Sequence, residues 1–312
     1  MSDFENLQAS PLRIGISTRA LFDLEYEHSV FLKDGVRAYI DLQRERERDL
    51  IPKGPGFEVV SRLLNLNEGG EKPVVEVIIL SKNSPDLSLR AFNSIREYGL
   101  NIKTGSFTSG RSLAPFVNAW DIDLFLSNDV DDVKAATDGR VASARLGKTP
   151  SHRVEISADE VRIAFDGDAV VFSAESDNIY AKEGLQAFLE HERMHAQNPM
   201  QIGPFGNFLK KLSALRRAYL FEEEVSKVRI AIVTARNAPA HERVIHTLRD
   251  WGTPADEAHF VGARDKSSIL KAFGAHIFFD DQEKHVMGAA SVVPSALVPG
   301  PHLPDRLIIP AA

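Results

Sequence analysis

Two carboxylates separated by one glycine, Asp166 and Asp168, stand between two apolar runs in the stretch VRIAFDGDAVVFS, residues 161–173. The first run has the β-branched, apolar composition of a buried strand, so it brings both acids to its carboxyl end. In an open α/β sheet, ligands bind in the crevice outside these ends. The same residues also fit a hairpin, because Asp-Gly between apolar runs is a strong turn signal. Taken alone, the stretch leaves a catalytic strand end and a simple turn as equal alternatives.

Four further polar residues stand at the ends of later predicted strands: Thr234, Lys266, Asp280 and Asp281. Four carboxylates at adjacent strand ends would repel one another until at least one took up a proton. A hard divalent cation removes that repulsion, and a site of oxygen ligands suits Mg²⁺, which also engages phosphate. Thr234 offers a hydroxyl beside backbone amides suited to anions, and Lys266 adds a compact positive charge. This set describes phosphoryl transfer through an aspartyl-phosphate.

The elements that must position these groups alternate between strands and helices. The alternation predicts βαβ units and a parallel sheet, in a Rossmann-like α/β fold. The predicted strands are Leu12 to Thr18, Val74 to Leu80, Leu124 to Leu126, Val228 to Val233 and His276 to Phe279; the predicted helices are Val30 to Arg48, Phe57 to Asn65 and Leu87 to Tyr98.

The second part of the chain repeats the first in constant register. Gly184 follows Gly35 by 149 residues, and Gly203-Pro204 follows Gly54-Pro55 by the same number. Further along, Thr234 follows Ser81 by 153 residues. Any two Rossmann-like units look alike, but shared Gly-Pro and Arg-x-x-Gly positions in one register favour an internal duplication. We therefore expect a first half, residues 1–150, and a second half, residues 151–312, with a helical cap segment at about 174–225.

The candidate catalytic residues are absent from the first half. Where the second half has Asp166, Asp168, Thr234, Lys266, Asp280 and Asp281, the first has Ser17, Arg19, Ser81, Leu113, Ser127 and Asn128. Had those side chains only specified the fold, the first half should have kept some of them. The pattern predicts one chemically active half and one degenerate, non-catalytic half. In this register Asp23 matches Phe172, which lies outside the nucleophile position.

A competing metal motif occurs at His191-Glu192-Arg193-Met194-His195, which satisfies the H-E-x-x-H pattern of zinc metalloproteases. An arginine occupies a position that normally faces a packed core, and no third ligand follows on the same helix. The first half has Leu42-Gln43-Arg44-Glu45-Arg46 in register. The motif is therefore interpreted as part of the scaffold or cap, without zinc.

Composition narrows the class of partner. The 312 residues carry a formal charge of −7, which gives no broad basic field for a nucleic-acid polymer. The absence of cysteine excludes thiol nucleophiles and thiolate metal sites. No leader pattern is visible, and no apolar run approaches the roughly 18 residues of a membrane span. We therefore expect a cytoplasmic protein with no membrane partner.

The motifs, taken together, resemble a known family. Phe165-Asp166-Gly167-Asp168, Val233-Thr234, Lys266 and Phe279-Asp280-Asp281 look like the four motifs of the haloacid-dehalogenase superfamily, in the proper order. The stretches ISTRALFDL, FDGDAVVFS, FLEHERMH, Thr234-Ala235-Arg236 and FFDDQEKHV are similar to the type I cytosolic 5′-nucleotidases, which favour AMP. The likeness runs from about Leu12 to Val286. It implies a duplicated haloacid-dehalogenase-like sheet flanked by helices, with small helical cap insertions.

The resemblance also implies roles. Asp166 would be the nucleophile, and Asp168 the general acid, kept protonated by a pKa that its acidic neighbours raise. Thr234 and Lys266 would hold the phosphoryl oxygens. Mg²⁺ would sit on the Asp166 carboxylate, the Asp168 carbonyl and Asp280, with Asp281 supporting the metal or orienting Lys266. Arg236 would contact the phosphate or the nucleotide, or form a surface salt bridge.

The activity expected from the resemblance is Mg²⁺-dependent hydrolysis of a nucleoside 5′-monophosphate, AMP first. Two alternatives stay open at this point. One is a phosphatase of the same superfamily acting on another small phosphate ester, and the other is a non-catalytic nucleotide sensor. A nucleotide effector bound by the first half, and an oligomeric state, are also left open.

Overall fold

Ten strands form one twisted sheet in a computed structural model that describes residues 2–150, 160–220 and 226–300. The order across the sheet is β3-β2-β1-β4-β5-β10-β9-β6-β7-β8. The strands are β1 Leu12–Ile16, β2 Val75–Ser81, β3 Thr104–Phe107, β4 Leu124–Ser127, β5 Ala142–Leu146, β6 Val161–Phe165, β7 Val228–Thr234, β8 Glu257–Phe260, β9 Ile277–Asp280 and β10 Ser295–Leu297. Within each half the paired strands are parallel, so the predicted α/β fold is confirmed.

Helices flank this sheet. Those described are α1 Asp3–Ala9, α2 Thr18–Leu21, α3 Glu25–Glu45, α4 Phe57–Asn65, α5 Ser88–Glu97, α6 Ala114–Ala119, α7 Val130–Asp138, α8 Glu175–Met194, α9 Gly206–Ala218, α10 His241–Asp250, α11 Ser267–Phe273 and α12 Glu283–Ala289. Helix α3 begins five residues before the predicted Val30, because the Asp23 carboxylate accepts a hydrogen bond from the Glu25 amide and so initiates the helix earlier.

The two halves repeat one another in three dimensions. Strands β1 to β5 occupy the same order in the first half as β6 to β10 in the second. Each long helix that follows the first strand is interrupted by a glycine with positive φ: Gly35 has φ 84° and ψ −179°, and Gly184 has φ 85° and ψ −178°. Only glycine adopts such a conformation readily. The register predicted from these two glycines therefore corresponds to the same local structure.

One detail of the predicted register is wrong. Phe22 bridges Lys53 and Phe172 bridges Ile202, so Phe172 is the counterpart of Phe22 and not of Asp23. The second half has an extra residue here, accommodated by a π turn over Gly167–Val171 in which Ala169 has φ 57°. This extra residue lies in the turn that follows the first candidate carboxylate.

The halves are joined by the antiparallel pairing of β5 with β10, which the sequence did not predict. Because β1 and β6 are each parallel to the other strands of their own half, they run in opposite directions. The carboxyl ends of the first-half strands consequently lie at the opposite edge of the sheet from those of the second half. A ligand bound at one set of strand ends cannot touch the other set.

The hydrophobic core continues through both halves and fixes the central strands. Ile14 of β1 and Ile163 of β6 belong to one buried cluster. In the second half, the rings of Phe165 and Phe279 stack with centroids 5.4 Å apart and planes at 17°. Each of these phenylalanines directly precedes a candidate carboxylate, so the packing holds the ends of β6 and β9 side by side.

The predicted boundary between the halves falls next to residues 151–159, and the predicted cap ends at 221–225; both segments lie outside the described residues. Within 174–225, helix α9 buries Phe208, Leu209 and Leu212 against the core. Helix α8 is mostly exposed and contacts the turn after β6. The part of the range that covers the strand ends is therefore α8.

Among the helices that the structure describes, none combines the length and the hydropathy that a membrane span requires.

His276, a buried histidine directly before β9, should make the fold sensitive to acid. Burial, together with the charges of Arg62 and Arg162, lowers the pKa of His276 to about 3. Its Nδ1 accepts from the Arg162 amide at 2.8 Å, which requires the neutral ring. Between pH 6.5 and 3 only the unfolded chain binds this proton, so stability should fall as the pH decreases through that window, by roughly 1.4 kcal/mol per pH unit.

The variant His276→Asn tests this expectation, because the amide oxygen of asparagine can replace Nδ1 as acceptor without taking up a proton. Unfolding free energies measured in urea at pH 7 and pH 5 should differ less for the variant than for the wild type. Equal pH dependence of the two proteins would contradict the assignment.

Candidate active site

The site is built at the carboxyl ends of three neighbouring strands. Strand β6 lies between β9 and β7, so Asp166, Asp280 and Thr234 emerge side by side. Asp166 is held at the end of β6 by its backbone: its amide donates to the Phe279 carbonyl at 2.8 Å, and its Oδ1 accepts from the Gly167 amide at 2.7 Å. The reading of the Asp-Gly pair as a hairpin is therefore wrong, since the chain turns into α8 and does not return along β6.

Lys266 links the two central carboxylates. It directly precedes α11, and its Nζ lies 2.9 Å from Asp166 Oδ1 and 2.8 Å from Asp280 Oδ2. All three side chains are almost completely buried. A lysine in such a place compensates charges that would otherwise be costly to remove from water.

The electrostatics of this group favour a cation. Burial raises the pKa of the Asp166 carboxyl well above its ordinary value; the charge of Lys266 opposes that rise, while Asp280 and Asp281 add to it. Burial acts in the same direction on Asp280, but Lys266 and His285 outweigh it and hold the pKa of Asp280 below its ordinary value. Burial thus outweighs the charge of the one lysine at Asp166, and additional positive charge would favour the ionised form of Asp166.

His285, which the sequence analysis did not assign, completes the group. Its Nδ1 lies 3.1 Å from Asp280 Oδ2, and one potential ligand atom from each of Asp166, Asp280 and His285 lies within 4.8 Å of the other two. Among the described residues, this is the one cluster of at least three histidine or carboxylate side chains close enough to share an ion. Carboxylate oxygens suit Mg²⁺, and an imidazole also suits Mn²⁺, so the donor set fits a divalent cation.

The two other predicted metal residues stand apart from this cluster. Asp281 is buried, and its carboxylate packs against Gly300 while contributing to the electrostatic field at Asp166. The Asp168 side chain faces a different partner, described below. The structure thus brings together the Asp166 and Asp280 side chains of the predicted metal set, with His285 as third member.

Thr234 and Gly167 pack closely beside the nucleophile. Thr234 is buried at the end of β7, and a Cβ atom added to Gly167 would lie only 3.2 Å from its Oγ1, so this position has little room for a side chain. In the first half Thr18 stands where Gly167 would be, and its hydroxyl bonds to that of Ser81 at 3.2 Å. In the second half the Thr234 hydroxyl instead accepts from the Arg236 amide at 3.2 Å.

Asp168 does not have the acidic neighbours expected from the sequence. Its two oxygens accept from Arg236 Nε and Nη2 at 2.7 and 2.6 Å. This side-on pair holds the Asp168 carboxyl group in a fixed orientation. Asp168 and Arg236 are both buried.

Arg236 is accordingly neither a surface salt bridge nor open to a phosphate. Besides Asp168, its guanidinium donates to the Glu192 carboxylate, to the Ala240 carbonyl at 3.3 Å and to the Met200 sulfur at 3.3 Å. These contacts engage all five N–H groups of the side chain. In this conformation Arg236 positions Asp168.

Both histidines of the H-E-x-x-H stretch contact neighbouring groups. His191 Nε2 lies 3.1 Å from Arg243 Nη1, and His195 Nδ1 lies against the His191 carbonyl at 2.9 Å. The glutamate between them, Glu192, points inward to Arg236 and Arg243. The stretch therefore contributes a buried carboxylate to the site, and its histidines are not part of the cluster of potential metal ligands found among the described residues.

Removing the imidazole should weaken cation binding. In His285→Ala, the group that contacts Asp280 beside the metal position is lost, and changes of this kind typically reduce metal affinity about 10- to 100-fold. Titration calorimetry with Mn²⁺ measures the effect, with His259→Ala as a control because that histidine pairs with Glu257 on β8, outside the cluster. Unchanged Mn²⁺ affinity in His285→Ala would show that the imidazole takes no part in the site.

Comparison with known proteins adds an independent observation. A family model described as 5′-nucleotidase matches residues 5–303. A human protein, Cytosolic 5′-nucleotidase 1B, is 30% identical in an alignment of 287 residues that covers 89% of this chain and 47% of that protein. The chain thus spans about half the length of the curated relative it matches. Both similarities run through the first half as well as the second.

Proposed function

The chain belongs to the 5′-nucleotidase family, and on that premise we propose that it hydrolyses nucleoside 5′-monophosphates, AMP first, to a nucleoside and inorganic phosphate. The observation that carries the proposal is the group of Asp166, Lys266, Asp280 and His285 at adjacent strand ends. The family membership supports the reaction class. The preference for AMP rests on the motif resemblance.

The proposed chemistry proceeds in two steps at Asp166. One carboxylate oxygen of Asp166 attacks phosphorus, an O–P bond forms, and the bond from phosphorus to the ribose 5′-oxygen breaks while Asp168 supplies the proton to that oxygen. A water molecule then attacks phosphorus, giving its proton to Asp168 and releasing phosphate and the Asp166 carboxylate. Lys266 and Thr234 hold the phosphoryl oxygens as charge develops on them. The two steps together return Asp166 and Asp168 to their starting states.

The divalent cation would be held by Asp166, Asp280 and His285, with the Asp168 carbonyl as the further ligand implied by the resemblance. When bound, it supplies positive charge that stabilises the phosphoryl group and favours the ionised nucleophile. Its identity as Mg²⁺ is part of the proposal.

Proton transfer by Asp168 requires a change in its pairing. An oxygen that carries a proton is a weaker acceptor than a carboxylate oxygen, so the contact with Arg236 is weakened on one side when Asp168 acts as the acid, and it opens there. Helix α8 supplies the other partner of Arg236, and this helix also covers the strand ends. We propose that substrate binding and a small adjustment of α8 accompany this opening.

The first half contributes no comparable chemistry. Arg19 pairs with Glu25 at 2.7 Å, and Lys82 pairs with Asp129 and Asp132, so the basic side chains at those strand ends already have anionic partners. Leu113 stands in place of Lys266. A nucleotide effector at this edge of the sheet stays a prediction, and it would have to act across the sheet.

A phosphate-release screen tests the proposal. The wild type is assayed with Mg²⁺ against nucleoside 5′-monophosphates and common sugar phosphates, before and after EDTA. We expect the highest kcat/KM for AMP, loss of turnover with EDTA and recovery on adding Mg²⁺. Faster turnover of a sugar phosphate would favour the rival phosphatase, and nucleotide binding without turnover would favour the sensor.

A further inference from the structure

A buried carboxylate on the cap helix α8 connects two arginines. Glu192 is only 1% exposed. One of its oxygens accepts from Arg236 Nη1, and the other accepts from Arg243 Nη1 at 3.0 Å and from the Ser176 hydroxyl at 2.8 Å. Every oxygen is therefore satisfied by a charged or hydroxyl donor, which a buried carboxylate requires. Through Arg236, this carboxylate is one side chain away from Asp168.

The first half provides an internal comparison, because a related network there has its carboxylate on a different residue. Gln43 occupies the position of Glu192, and its Oε1 accepts from Arg90, the counterpart of Arg243, at 2.8 Å. Arg90 also pairs at 2.8 Å with the buried carboxylate of Glu27, which stands where the second half has Ser176. The scaffold arginine thus has an acidic partner in both halves, but only the second half places that acid at the position next to Arg236.

The two halves differ in the second group that is linked to Gln43 and to Glu192. Asn83 stands where the second half has Arg236, and the Tyr39 hydroxyl connects Gln43 to Asn83 through bonds of 3.0 and 3.1 Å. Arg19 stands where the second half has Asp168. The acid at 192, the arginine at 236 and the acid at 168 are thus present together in the half with the candidate site and absent together in the other.

We propose that Glu192 is a positioning residue: it fixes the guanidinium of Arg236 so that Arg236 in turn holds the carboxylate of Asp168 in place for proton transfer. The inference rests on the proposed function, since it assigns a role within the same reaction. It also explains the H-E-x-x-H sequence, whose glutamate is buried in this network.

The geometry restricts the guanidinium in each direction. Asp168 accepts from Nε and Nη2 of Arg236, and Glu192 accepts from Nη1. The centre of the Phe188 ring lies 5.5 Å from the central carbon of the guanidinium. A planar guanidinium with fixed acceptors on two edges and a ring on one face has little freedom to rotate. Without the Glu192 carboxylate, one of the two edges loses its ionic partner, and Asp168 loses the fixed group that orients it.

Kinetics of two matched variants test the role. In Glu192→Gln, kcat for AMP should fall about 10- to 100-fold, the range expected when a catalytic group is misplaced by an ångström, while KM changes less than about threefold. Glu175→Gln is the control: Glu175 lies on the same helix and pairs with Arg243 at 3.2 Å, but it is exposed and not among the partners of Arg236. Its kcat should stay within about twofold of wild type.

A readout independent of activity separates this inference from the proposed function. The Nε–H group of Arg236 gives a ¹H–¹⁵N signal, assigned by its absence in Arg236→Lys. That signal should shift or broaden in Glu192→Gln and stay unchanged in Glu175→Gln. If the wild type hydrolyses no nucleotide but the signal behaves in this way, the contact of Glu192 with Arg236 is supported while the proposed function fails.

Two results would overturn the inference. One is a folded Glu192→Gln protein with wild-type kcat, and the other is an Arg236 signal that does not respond to the substitution. Should Glu192→Gln fail to fold, Glu192→Asp keeps the charge and shortens the side chain by one methylene. A loss of kcat per folded molecule is then expected, and activity lost only in proportion to the unfolded fraction would show a purely structural role.

Discussion

Replacing Asp166 by asparagine should lower kcat for AMP by at least about a thousandfold while leaving the fold intact. The amide keeps the size of the side chain but cannot attack phosphorus, and loss of a covalent nucleophile typically costs three or more orders of magnitude. The measurement is phosphate release per folded molecule, with circular dichroism to establish folding.

The first half offers a matched control for this variant. Ser17 directly follows β1 as Asp166 directly follows β6. The Ser17 hydroxyl accepts a hydrogen bond from the Ala20 amide, and an asparagine side chain at this position can accept the same bond. Ser17→Asn should therefore retain wild-type turnover. Appreciable turnover in Asp166→Asn, at more than a tenth of the wild-type rate, would exclude Asp166 as nucleophile.

The second large effect is expected on stability, in the variant Lys266→Met. Lys266 provides the positive charge between Asp166 and Asp280 in a buried setting. Removing one member of a buried ionic group leaves the remaining charges uncompensated and commonly costs about 3–5 kcal/mol. Urea denaturation in EDTA at neutral pH should therefore show a loss of this order, together with loss of activity.

Leu113→Met is the corresponding control, because Leu113 directly precedes α6 in the first half as Lys266 precedes α11 in the second. An exchange of leucine for methionine nearly conserves volume and usually costs less than about 1.5 kcal/mol. If Lys266→Met is as stable as Leu113→Met in EDTA, the lysine charge does not compensate the two carboxylates, and the electrostatic description of the site is wrong.

The sequence predicted the features that depend on chain order. Asp166 and Asp280 each follow a strongly apolar strand, and the ends of neighbouring parallel strands meet by topology alone. The duplication was visible because Gly35 and Gly184 mark a backbone conformation that few other residues adopt. Both predictions therefore needed no knowledge of side-chain packing.

The remaining features depend on packing that a linear pattern does not encode. Asp168 was expected among acids, but one turn of backbone with an extra residue places it against Arg236. His285 comes five residues after Asp280. Because α12 begins at Glu283, between these two residues, the chain turns and brings the ring of His285 back to the Asp280 carboxylate. Glu192 was hidden inside a zinc-like pattern, since burial and not spacing determines its partners.

The antiparallel junction of β5 and β10 was also beyond the sequence. Both strands are short and largely buried, and neither pattern specifies the direction of its neighbour. The junction has a functional consequence, because it places the degenerate strand ends at the opposite edge of the sheet from Asp166. Any effect of a ligand at those ends on catalysis would have to be transmitted through the shared core.

In the proposed mechanism, Asp166 carries the phosphoryl group during hydrolysis of a nucleoside 5′-monophosphate. Mass spectrometry tests this step most directly: the wild-type enzyme is quenched rapidly in acid while it turns over AMP with Mg²⁺, and the masses of peptides containing Asp166 are measured. We expect a fraction of these peptides to be heavier by the mass of one phosphoryl group. That group should lie on Asp166, and the heavier peptides should be missing in Asp166→Asn. Steady AMP hydrolysis with no phosphorylated Asp166 at any quench time, or with the phosphoryl group on another residue, would contradict the proposed mechanism.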